Sequence, residues 1–152
     1  MPTGWAVSWL VGAFLGLSAF GIYLLIRAIG AGLEGAICGG FFFATSNALF
    51  AHNDDSIMLF WLLPSLALRE IVLWSKDNQP PNAWWRARLV RVALLLGLQL
   101  YFSVYVFVYS LVACCLAGFV VLCCRCLRGA SFGETIKEGC LAAAVLLLFV
   151  AP

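Results

Sequence analysis

Few side chains in this sequence have types and spacings suited to chemistry. Seven cysteines, Cys38, Cys114, Cys115, Cys123, Cys124, Cys126 and Cys140, stand within or at the ends of apolar stretches. Cys123 and Cys126 have the C-x-x-C spacing of a metal or dithiol site, but zinc takes four ligands and the one histidine, His52, lies in a different segment. An odd number of thiols in such surroundings argues against a disulfide framework and for packing as small hydrophobes. The run also meets a basic loop, the setting in which S-palmitoylation occurs. Asp54 and Asp55 form the one adjacent carboxylate pair, and capping of the helix that follows accounts for them. The sequence contains neither H-E-x-x-H nor G-x-S-x-G nor a phosphate loop. It therefore predicts no enzyme, no metal, no cofactor and no soluble small-molecule substrate. The remaining acid of interest is Glu34, an ionisable group inside an apolar segment, where an unpaired charge is costly and usually functional.

Composition sets the solvent in which these residues act. Hydrophobic residues make up 64% of the 152 positions and charged residues 11%, at a mean hydropathy of +1.04. Nine Lys/Arg and seven Asp/Glu cannot cover a water-soluble core of this size. The expected fold is an all-α polytopic integral membrane protein, with about five transmembrane helices joined by short loops in a single membrane domain. A formal charge of +2 argues against nucleic acid as the main partner.

The expected spans are residues 5–26, 28–51, 57–74, 84–124 and 132–150. The first has no charge before Arg27 and reads as a retained span, with Trp5 and Trp9 at one interface and Gly12 and Gly16 forming a flat patch. The second follows almost at once, so it either turns sharply around Gly30 and Gly32 or begins along the interface. Ala28, Gly32, Gly35, Ala36 and Gly39 share one of its faces, a small-residue surface for helix packing. Glu34 lies opposite, within reach of Arg27. In the third span Pro64 predicts a kink, and Arg69 must snorkel or find a protein partner. A linker with Pro80 and Pro81 precedes Trp84, Trp85, Arg86, Arg88 and Arg91, a cluster suited to anionic lipid headgroups.

Residues 92–124 contain no charge and no proline. As one helix they would run about 50 Å against a hydrocarbon core of about 30 Å. With no Gly, Pro, Asn or Asp between Ser103 and Ser110 to make a turn, a single over-long helix is expected, its excess covered by another protein. Gln99 on one face and the stripe of Tyr101, Tyr105 and Tyr109 on the other are the partner-facing residues. Ser131 and Glu134 have capping-box spacing at the start of the last span. Arg27, Arg69, Lys76, Arg86, Arg88 and Arg91 then fall on one side of the membrane and Arg125, Arg128 and Lys137 on the other, an excess that puts the amino terminus on the translocated face.

These features point to a structural or assembly subunit of a larger membrane complex, in an energy-converting organelle membrane such as the mitochondrial inner membrane. Its partners would be other membrane subunits and anionic lipids. The alternatives are a small ion or proton channel or carrier using Glu34, and a viral or trafficking protein that remodels bilayers.

Overall fold

A computed structural model describes residues 3–50, 61–76, 88–127 and 132–150 of the chain. All of these except 30–32, 61 and 103 are helical. The fold is all-α with six helices: α1 (Thr3–Ile29), α2 (Leu33–Phe50), α3 (Leu62–Lys76), α4 (Arg88–Phe102), α5 (Val104–Leu127) and α6 (Phe132–Val150). Two apolar stretches, Ser8–Ile29 and Val104–Cys124, are long enough to cross a membrane. His52, Asp54, Asp55, Ser56, Trp84, Trp85, Arg86 and Ser131 lie outside the described residues.

The sharp turn at Gly30 is the form the α1–α2 connection takes. Gly30 N–H bonds the Arg27 carbonyl (3.1 Å) and Ala31 N–H bonds that of Ile26 (3.2 Å). That closure requires a left-handed residue, and Gly30 supplies it with φ +113°. Two cations complete the cap. Arg27 Nη1 donates to the Ala31 carbonyl at 3.3 Å and Lys76 Nζ to the Ala28 carbonyl at 2.7 Å. Both sit at the negative end of the α1 dipole.

Close approach of helices uses a set of small residues that only partly overlaps the expected one. Ala36 is fully buried, and a Cβ on Gly40 would stand 2.8 Å from the Ala19 carbonyl oxygen and 3.5 Å from Tyr23 Cβ. A Cβ on Gly39 would overlap only Ile26 Cδ1, the movable end of a side chain. On the other flank of α1, a Cβ on Gly21 would overlap Ser65 Oγ and stand 3.2 Å from Leu62 Cα. Nearby, Ser18 Oγ accepts the Trp61 N–H at 2.9 Å. Among the described residues Gly12, Gly16 and Gly32 have nothing within 4 Å of a built Cβ, and Gly35 meets only Ala31 of its own segment. Of the expected small-residue faces, Ala36 and Gly39 pack inside the chain while the Gly12–Gly16 patch stays uncovered.

Two further expectations are corrected. Pro64 produces no mid-helix kink: it is the third residue of α3, where the backbone N–H has no helical acceptor to lose. The single helix over 84–124 is broken at Ser103. Ser103 N–H closes the last turn of α4 on the Gln99 carbonyl (3.0 Å), and its own carbonyl accepts the Phe107 N–H (2.9 Å). Its hydroxyl faces the Val106 N–H at 3.4 Å. One serine thus ends one helix and caps the next, so the corner needs none of the usual turn residues.

Beyond that corner α5 folds back. Val92 and Leu96 of α4 share a core with Phe107 and Cys114 of α5 and with Ala67 and Ile71 of α3. Leu89 and Gly118 border one cavity, so the start of α4 lies near the last third of α5. The apolar length that demanded an external partner is buried partly by the chain itself. α6 then returns along α4 rather than against α5. The corner also overturns the expected split of basic residues. Arg27, Arg69, Lys76, Arg88, Arg91, Arg125 and Lys137, every Lys or Arg among the described residues, occupy the same end of the bundle.

Gly40→Ala should lower the midpoint of thermal unfolding by an amount equivalent to about 1–3 kcal/mol, because a backbone carbonyl blocks the new methyl. Gly16→Ala, facing open space, should leave the midpoint unchanged or raise it slightly.

Candidate functional site

The most concentrated chemistry lies where α3 meets the start of α4. Ala67, Glu70, Ile71 and Trp74 form the buried stripe of α3, an i, i+3, i+4, i+7 pattern whose second member is a carboxylate. Arg88 and Arg91, three residues apart in the first turns of α4, present their guanidinium groups to it. Glu70 Oε2 is 3.2 Å from Arg88 Nη1 and 3.3 Å from Arg91 Nη1, and Oε1 is 3.2 Å from Arg69 Nη1. The carboxylate side chain is only 8% exposed, so it depends on these partners for the solvation it has lost. Each arginine keeps part of its surface outside the contact. Three guanidinium groups around one carboxylate leave an excess of positive charge at this end of the bundle.

Glu70 is not among the site residues expected from the sequence, where only its neighbour Arg69 needs a partner. The available signal was an acid on the apolar stripe of one helix followed by Arg-x-x-Arg at the start of the next. Arg88 and Arg91, expected to face lipid headgroups, pair with Glu70, because a buried carboxylate needs partners for the solvation it has lost. Arg69 finds the partner it required in its own neighbour.

Glu34, expected one and a half turns into a helix, lies in the first turn of α2 and is exposed. Its charge there complements the α2 dipole, while the Arg27 guanidinium donates to the Ala31 carbonyl. Gln99 is also corrected: far from facing a partner, it is fully buried within the chain. It continues the inward stripe of Val92 and Leu96, and neither Nε2 nor Oε1 finds a hydrogen-bond partner among the described residues. Tyr101, Tyr105 and Tyr109 are exposed, and the Ser103 corner places the first on α4 and the other two on α5. Cys38, Cys115, Cys123, Cys124 and Cys140 are free and exposed, and Cys114 is free and buried. Among the described residues no group of three His, Cys, Asp or Glu side chains could hold a metal ion.

The Glu70 cluster joins two helices and concentrates cationic charge. It pairs a carboxylate with arginines, presents no nucleophile, and acts as an electrostatic clasp. No protein-family model, curated protein or solved structure matches this chain.

Two substitutions should move stability in opposite directions. Glu70→Gln removes the charge that three arginines share, and chemical denaturation should read a loss of about 2–3 kcal/mol, below the value for a fully enclosed pair because the arginines are partly solvated. Gln99→Met keeps the volume and deletes two unmet polar atoms, and the same measurement should read a gain of about 1 kcal/mol.

Proposed function

We propose that this chain is an integral membrane protein whose six helices form an accessory or assembly subunit of a larger membrane complex. The observation that carries this reading is the state of α1. Its apolar stretch Ser8–Ile29 is long enough to cross a membrane, yet only 11% of the most apolar 18 residues in it are buried inside the chain. The corresponding stretch of α5 has a hydropathy of 2.6 and is 22% buried. A core helix of a soluble protein is apolar because its neighbours cover it, and these two are not covered. Trp5, Trp9, Phe41, Phe42, Phe119 and Leu148 all point outward, an arrangement stable only against lipid or other protein.

Two further features favour a subunit over a carrier. Gly12 and Gly16 leave a flat patch on α1 where, among the described residues, nothing lies within 4 Å of a built Cβ, and in lipid such patches are where a second helix backbone approaches. Glu34 stands at a helix start beside a turn rather than midway along a span. The gathering of basic residues at one end supports a sidedness in which that end remains on the non-translocated face. Thr3 and Val150, at the opposite end, would then both lie toward the translocated side.

Extraction of native membranes in mild detergent followed by native electrophoresis should find the chain in an assembly much heavier than its own 16.5 kDa. Gly12→Leu combined with Gly16→Leu should release it from that assembly while changing its own unfolding free energy by less than about 1 kcal/mol. A monomeric wild-type chain from native membranes would overturn the subunit reading.

A further inference from the structure

Because α6 packs along α4 and not against α5, the two helices stand apart and leave an open crevice of about 360 Å³. Leu89 and Trp74 form its floor, Phe119 and Leu122 one wall, and Ile136 and Cys140 the other. A smaller cavity of about 140 Å³ continues from Leu89 and Gly118 toward Leu96 and Leu146. Gly118 and Gly139 both border it, and among the described residues a Cβ built on either meets nothing within 4 Å. Neither glycine therefore contributes a side chain that would take up this space. It is lined by apolar groups, and at about 30 Å³ per water it has room for on the order of a dozen groups of that size. Water gains no hydrogen bonds in such a space, so its natural occupant is a hydrocarbon chain.

Charge says which kind. The crevice lies toward the end of the bundle that holds every described Lys and Arg. Leu89 follows Arg88, Lys137 follows Ile136, and Arg125 lies three residues after Leu122. Among the described residues that end carries seven basic groups against the four acids Glu34, Glu70, Glu134 and Glu138, a net of three positive charges. We propose that the crevice between α5 and α6 is a binding site for an anionic phospholipid, with an acyl chain between Gly118 and Gly139 and the phosphate at the basic end. This rests on the membrane reading above but not on the identity of any partner protein.

The test uses the full chain reconstituted in vesicles containing a phosphatidylglycerol that carries a photoactivatable diazirine on its acyl chain. Labelling of peptides spanning 118–122 and 136–140 should saturate. Unlabelled phosphatidylglycerol should compete and phosphatidylcholine should not. Gly118→Leu with Gly139→Leu adds side chains at the crevice whose Cβ atoms meet no described atom within 4 Å, so labelling there should fall about tenfold, the factor expected for losing about two buried methylenes. Labelling at the outward Phe41–Phe42 segment and the thermal unfolding midpoint should stay the same. Unsaturable labelling, equal competition by phosphatidylcholine, or undiminished labelling of the double variant would each overturn the proposal. Alkaline carbonate extraction of the same expressing membranes separates the two readings. A chain that stays in the membrane pellet but lacks the saturable site overturns the lipid site alone, whereas a chain released into the supernatant overturns the membrane reading as well.

Discussion

The corner at Ser103 consists of two backbone hydrogen bonds and one hydroxyl contact, and the course of the second half of the chain depends on it. The Gln99 carbonyl takes the Ser103 N–H, and the Ser103 carbonyl takes the Phe107 N–H, so both backbone groups of the break residue are satisfied at the reversal. Because the break occupies one residue, α5 starts immediately beside the end of α4 and must run back along it. Phe107 and Cys114 thereby reach the core containing Val92, Leu96 and Ile71. The fold-back also returns Arg125 to the end of the bundle where Arg88 and Arg91 stand. Without it, the charges of the second half would lie at the far end and α6 would have no α4 surface to follow.

At the end where the charges meet, electrostatics and packing serve the same purpose. The Glu70 carboxylate fastens the last turns of α3 to the first turns of α4, and Lys76 fastens the end of α3 to the end of α1. These contacts tie together helices whose facing surfaces are otherwise apolar and weakly directional. In a bilayer, where apolar side chains gain little by leaving lipid for protein, such polar ties and the close approaches at Gly21 and Gly40 carry most of the specificity of packing. A uniformly apolar surface cannot choose one helix register over another, but a buried acid with two arginines at i and i+3 can.

The outer surface has the opposite character. Its residues are large and apolar with few polar features, and its small-residue patch at Gly12 and Gly16 is uncovered. Among the described residues the inner surface holds the Gln99 carboxamide without hydrogen-bond partners, and its burial follows from its position on the inward stripe of α4. The splay of α5 from α6 arises because both pack on α4 and α3 rather than on each other, and Gly118 and Gly139 offer no side chains to bridge the gap.

Composition and periodicity alone determined that this chain is helical, that charge is scarce along it, and that the first long apolar helix is followed either by a sharp turn near Gly30 or by an interfacial segment. Those features are local: a glycine that adopts positive φ, a 22-residue apolar stretch and a scarcity of charge can all be read residue by residue. Tertiary structure alone decided which small residues touch, which charges pair and where the over-long stretch bends. Gly12 and Gly40 look alike in sequence, yet only Gly40 meets a carbonyl, because contact depends on where a second helix lies. Arg88 has the sequence setting of a headgroup anchor and becomes a counter-ion because α3 brings Glu70 to it from 18 residues away. Ser103 carries no turn signal because its capping bonds form within helical backbone on both sides. The gain from burying Phe107 and Cys114 against α3 and α4, which exists only once the chain has folded back, selects the corner over a continuous helix.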